Sequence, residues 1–110
     1  MPKSKLMRTK KVNGAIHLEG SDNVFRDLGF PEEEAVNMLA RSEMIIQIKN
    51  ILDDRKLTQI EAAKLLGVRQ PRVSALYTGK LNDFTIDMLM KWLTILGKKV
   101  TIQIEDQVVA

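Results

Sequence analysis

Residues 57–80 read LTQIEAAKLLGVRQPRVSALYTGK, two short apolar-periodic segments on either side of Gly67. In the first, 58–66, Ile60, Ala63 and Leu66 recur at helical spacing. Thr58 stands three residues before Glu61, the spacing of a capping box, in which each side chain bonds the other residue's backbone N–H. Gly67 ends the segment, because glycine enters a left-handed conformation without a Cβ clash. Val68 follows as an apolar plug. A second helix then starts near Gln70, with Pro71 in its first turn, where no amide donor is needed. Val73 and Leu76 face inward, and Gly79 stops this helix. Ala63 is small enough to let the two helices cross closely. Helix, short glycine-bearing turn, helix is the pattern of a DNA-binding helix-turn-helix.

An ordinary αα-hairpin would also centre on a glycine, but the polar positions favour the first reading. Residues 55–80 carry six bases (Arg55, Lys56, Lys64, Arg69, Arg72, Lys80) against the single acid Glu61. In such motifs the N-terminal part of the second helix meets base edges. The candidate base contacts are therefore Arg69, Gln70, Pro71, Arg72, Ser74 and Ala75, with Gln70 suited to adenine and Arg72 to guanine. Thr58, Gln59, Thr78 and Lys80 flank them as candidate phosphate contacts.

The segments LTQ, AAKLLGV, QPRVS and the closing GK resemble the XRE (Cro/C1-type) helix-turn-helix family. The wider stretch, from NVFRDLGFPEEEA to KKVTIQIE, resembles the HigA-type antitoxin subgroup and covers roughly residues 22–105. The resemblance implies an all-α, five-helix, lambda-repressor-like DNA-binding domain acting as a homodimer on a palindromic operator, often beside a small RelE-like toxin protein. The implied function is a repressor that is also the antitoxin of an autoregulating pair. The alternative is a stand-alone or phage-type repressor with no toxin partner. Family members usually carry Ser or Thr where this chain has Arg69, so a capping hydroxyl is missing there.

Composition fits one domain with a single hydrophobic core: 110 residues, 45% apolar and 28% charged. There is no cysteine, hence no disulfide framework and no thiolate metal site. No apolar run reaches the length of a membrane span and no signal peptide is evident, so the expected compartment is cytoplasmic. The net charge of +3 is unevenly spread. Residues 1–12 hold five bases and no acid, whereas residues 13–54 hold three bases and nine acids. Only the leader and the helix-turn-helix are positive, so a polyanion would meet that face and the basic tail, steered there by the acidic remainder.

The organisation expected is a basic, flexible leader (1–20), a helical domain (21–97, motif 58–79) and a C-terminal dimerisation strand with its tail (98–110). Asn13-Gly14 is a turn signal and residues 15–19 a short extended segment. Residues 21–29 form a helical turn capped by Ser21 or Asp22, with Val24, Phe25 and Leu28 on its apolar side. Pro31 and three glutamates open the longest helical stretch, with Ser42 as a possible break into two. Residues 81–84 read as a loop. Thr85 caps a last helix with Ile86, Leu89, Met90, Leu93 and Leu96 inward, and Trp92 at the core edge with its indole nitrogen bonded. From Lys98 the period changes to two: Val100, Ile102 and Ile104 alternate with polar residues, the pattern of a half-buried strand. A lone strand needs a partner, either a second chain or residues 15–19, and these three residues are the expected dimer interface.

Catalysis has no foothold in this sequence. His17 is the single histidine, and no phosphate-cradling glycine loop or metal-ligand spacing is present. The chain reads as a binding protein without a cofactor rather than an enzyme.

Overall fold

A 23-residue helix is the longest element of the fold. The computed structural model describes residues 9–12, 15–18 and 23–106. Within them, strands β1 (Thr9–Val12) and β2 (Ala15–Leu18) precede five helices: α1 (Val24–Asp27), α2 (Glu32–Asp54), α3 (Gln59–Leu66), α4 (Gln70–Tyr77) and α5 (Ile86–Ile95). A 3₁₀ turn, Leu81–Asp83, joins α4 to α5. Helix α2 runs 23 residues without interruption. Its buried positions are Ala35, Leu39, Ser42, Ile45, Ile48 and Leu52, spaced three and four apart along one stripe. Ser42 is small and lies inside that stripe, so it continues the helix instead of breaking it. Glu32, Glu33 and Glu34 fill the first turn, where negative charge complements the helix dipole. At the other end Lys56 takes a left-handed conformation (φ 56°), and the Leu57 N–H reaches back to the Leu52 carbonyl at 3.1 Å. This is the helix ending that glycine usually supplies.

Helices α4 and α5 pack against α2, and α3 packs against α4 and α5, around a shared core that includes Ile45, Ile48 and Leu52 of α2. Ile48, Leu52, Val73, Leu76, Phe84, Leu89 and Leu96 form the centre of the core, each at most 2% exposed. Trp92 belongs to that centre rather than its edge, 2% exposed and edge-on to Phe84 at 5.8 Å between ring centroids. On α3 the buried residues are Ala62, Ala63 and Leu66, while Ile60 is 61% exposed. Ala62 lies about 200° around the helix from Ile60, so a stripe centred on Ala62 and Ala63 turns Ile60 outward.

Two arginines of α2 and its C-terminal cap tie the loops to this frame. Arg41 Nη1 donates to the carbonyls of Leu81 (2.7 Å) and Phe84 (3.3 Å), pinning the turn after α4. Arg55 Nη2 donates to the Leu96 carbonyl at 2.6 Å and so occupies an acceptor left open at the end of α5. Helix α1 is capped by Asn23, whereas Ser21 and Asp22, the expected caps, lie outside the described residues. Asn23 Oδ1 accepts from the N–H groups of Phe25 (2.9 Å) and Arg26 (3.3 Å), while Nδ2 donates to the Ala35 carbonyl at 3.0 Å. One 2%-exposed side chain therefore caps α1 and fastens it to α2. Leu28 stands 69% exposed, outside the apolar side expected of that turn.

Residues 9–18 pair more than the leader's composition suggests. β1 and β2 are antiparallel, in register Thr9↔Leu18 to Val12↔Ala15, which leaves the dipeptide Asn13-Gly14 between them. The rest of the expected leader, residues 1–8, 13–14 and 19–20, lies outside the described residues. At the other terminus the expected strand is not formed. Residues 98–106 carry no ladder, and β2 is paired with β1 instead of with them. Val100 packs part-buried against the core, but Ile102 is 72% and Ile104 91% exposed. An alternating sequence supplies a strand's side chains but not its neighbour, and among the described residues no neighbour is paired with it.

Candidate DNA interface

Three local features build the helix-turn-helix. The Thr58 hydroxyl accepts from the Glu61 N–H at 3.1 Å, and the Thr58 N–H donates to Glu61 Oε1 at 2.8 Å, closing the capping box. The bond from the Thr58 backbone, and next the one to its side chain, hold the Glu61 carboxyl below its ordinary range. Gly67 ends α3 at φ 72°, ψ 34°, a left-handed cap whose N–H reaches the Ala63 and Lys64 carbonyls. Val68 packs part-buried against the core, and α4 starts two residues later with Pro71 in its first turn.

Helix α4 is wedged between α3 and α2, with Val73, Ala75 and Leu76 buried. That placement corrects one expected contact: Ala75 is 8% exposed and cannot meet a base. Two buried faces, not one, are needed because α4 has a helix on either side. The remaining candidates stay accessible. Arg69, Gln70, Pro71 and Arg72 are exposed and Ser74 is half-exposed, all within the first turns of α4. Thr58, Thr78 and Lys80 are exposed and Gln59 half-exposed around them.

The polar side chains differ in readiness. Gln70 Nε2 donates to Gln59 Oε1 at 2.6 Å, a pairing across the motif that the sequence did not announce. It orients the Gln70 amide while leaving Oε1 and one N–H free, the pair that reads the adenine edge. Arg72 is turned the other way: its Nη1 donates to the Asp83 carbonyl at 2.9 Å. To reach guanine it must release that bond, which costs about 1.5–3 kcal/mol if nothing replaces it. Arg69 is the N-cap of α4 and makes no side-chain cap bond there. Among the described residues the bases Lys64, Arg69 and Lys80 make no ion pair, so their charge faces outward.

The far end of α4 is anchored by Tyr77, whose hydroxyl donates to Asp53 Oδ1 at 3.0 Å, with Lys49 Nζ 5.8 Å from the ring centroid. Burial, reinforced by Asp53, pushes the phenol up to about 12. The neutral phenol is thus the favoured form in the fold. Its contribution is fully present below the ordinary value of 10.0 and disappears as pH rises through about 12. Tyr77→Phe should lower stability by about 0.5–1.5 kcal/mol at neutral pH. It should also flatten the decline expected of the parent protein in denaturant melts over that alkaline interval. A parallel decline in both proteins would show that the Asp53 bond is not its source.

A helix-turn-helix domain family model matches residues 24–105, from α1 into the C-terminal tail. A solved structure provisionally named as an XRE family transcriptional regulator superposes with a TM-score of 0.63 at 32% identity, over 70% of this chain and 84% of that one. The chain belongs to the XRE group of helix-turn-helix proteins. No curated protein matches it. In this XRE chain the shared region includes α3 and α4 together with the frame that Arg41 and Arg55 brace. The likeness extends to fold and motif, and it supports a helix-turn-helix at residues 58–79. Among the described residues no helix is long and apolar enough to cross a membrane.

Proposed function

We propose that this protein is a DNA-binding transcriptional regulator that places α4 in the major groove of a palindromic operator as a homodimer. The observation that carries the reading is the first turn of α4. It holds Arg69, Gln70, Pro71 and Arg72 in the open, while Val73 and Leu76 in the same helix are buried to 0%. A rigid, anchored helix with its polar end free is what base readout requires. We further propose that it is the antitoxin of a pair and represses its own operon, a reading supported by the subgroup resemblance and by the acidic balance of residues 13–54. Selection of bound duplexes from random DNA should return an inverted repeat. Enrichment of no sequence over the starting pool would refute an operator.

Arg69 gives a sharper test of the same reading. The uncapped start of α4 costs about 1 kcal/mol relative to a Ser or Thr cap, and a cation near the positive end of the dipole adds a smaller penalty. A phosphate or a guanine nearby would offset both. Arg69→Ser should therefore raise the melting temperature of the free protein and weaken operator binding. A variant that is less stable yet binds normally would refute the pairing of these two effects.

A further inference from the structure

The corner where α1 meets α2 has a chemistry opposite to that of α4. Leu28 (69%), Val36 (51%) and Phe30 (39%) are exposed there, beside Asp27 and the three glutamates that open α2. Between α2 and the 3₁₀ turn runs an open groove of about 450 Å³, with Phe30 and Met38 as its apolar lining and Glu33 and Glu34 as its acids. Arg41 also lines it, but its guanidinium is committed to Asn37 Oδ1 (2.7 Å) and to the carbonyls of Leu81 and Phe84. Arg41 is thus a fixed wall rather than a free cation. Among the described residues neither Glu33 nor Glu34 has an ion-pair partner, whereas neighbouring Glu32 is bound to Arg26.

Unpaired carboxylates beside exposed aromatic and aliphatic carbon repel a nucleic acid and attract a cation that also carries apolar surface. We propose that this groove docks a basic segment of a partner protein, an amphipathic helix with apolar residues on one face and Lys or Arg beside them. The docking rests on the antitoxin part of the function proposed above and assigns it a surface. The apolar face would lie on Phe30 and Met38, and the flanking cations on Glu33 and Glu34. A second copy of this chain is the poorer occupant, since within residues 23–106 its positive excess lies on the motif that faces DNA.

The test uses the full chain and two helical peptides, one with leucines on one face and lysines on the other, and one with glutamates in place of the lysines. Binding is followed by calorimetry, and the contact is mapped by amide chemical shifts. The lysine peptide should bind and shift the amides of residues 30–41, and the glutamate peptide should not. The double variant Glu33→Gln, Glu34→Gln should weaken binding about tenfold or more, equivalent to 1.4 kcal/mol, with operator affinity unchanged. Phe30→Ser keeps the charge and should weaken it as well, circular dichroism confirming the fold. If Phe30→Ser binds normally, the attraction is charge alone and the groove is not a docking site. Shifts confined to residues 98–106 would refute the groove but leave the partner reading standing. If neither peptide binds, both fall.

Discussion

Phe84→Ala should destabilise the protein by about 3–5 kcal/mol, the largest effect expected of any single core truncation here. Phe84 is among the largest fully buried side chains, 2% exposed, and it lies in no helix. It closes the turn that Arg41 pins from α2 and stacks edge-on against Trp92 of α5, so its removal opens a void where three elements meet. A domain of this size has roughly 5–15 kcal/mol in total, and the loss would take much of it. At about 4–8 °C per kcal/mol the melting temperature should fall by about 12 °C or more. Trp92 is the only tryptophan, so its emission reports the same site directly. Phe84→Leu, which keeps most of the volume, should cost about 1.5 kcal/mol or less. An alanine variant that melts within a degree or two of the parent would show that the turn is not part of the core.

Why Phe84 reads as loop in the sequence is instructive. Asn82 and Asp83 are turn formers, and a single apolar residue after them has no period to betray it. A signal does exist at another scale. Phe84 precedes the N-cap Thr85 and Leu89 follows it by four, the spacing of a hydrophobic staple, and both residues are buried in one core. The motif itself was far easier to read, because the capping box, Gly67 and Pro71 act through bonds and dihedrals within a few residues. The bonds of Arg41, Arg55 and Arg72 were not legible at all. Each runs to a backbone carbonyl, 40, 41 and 11 residues away, and every residue type offers the same carbonyl. Ala75 failed for a related reason: exposure depends on how many neighbours a helix has, and α4 has one on each side.

On the homodimer proposed above, the C-terminal tail would carry the second large effect, on affinity rather than stability. Val100 seats the tail against the core, and beyond it Ile102 and Ile104 lie exposed in a sequence that alternates apolar and polar residues. Among the described residues, none of 99–106 makes a backbone hydrogen bond, so both the ladder groups and the apolar side are available to a second copy. Pairing two tails through Val100, Ile102 and Ile104 would set two α4 helices one DNA turn apart, roughly 34–36 Å, on a palindromic site. The second contact then becomes effectively intramolecular, which raises avidity by about two to four orders of magnitude. Gln103→Pro would remove a donor from such a ladder and, because among the described residues this N–H bonds nothing, leave the helical core untouched. The variant should run as a monomer in light scattering, keep its circular dichroism, and lose operator affinity about 100-fold or more. A variant still dimeric and still tight would move the interface elsewhere, first to α5, where Ile95 is 38% exposed.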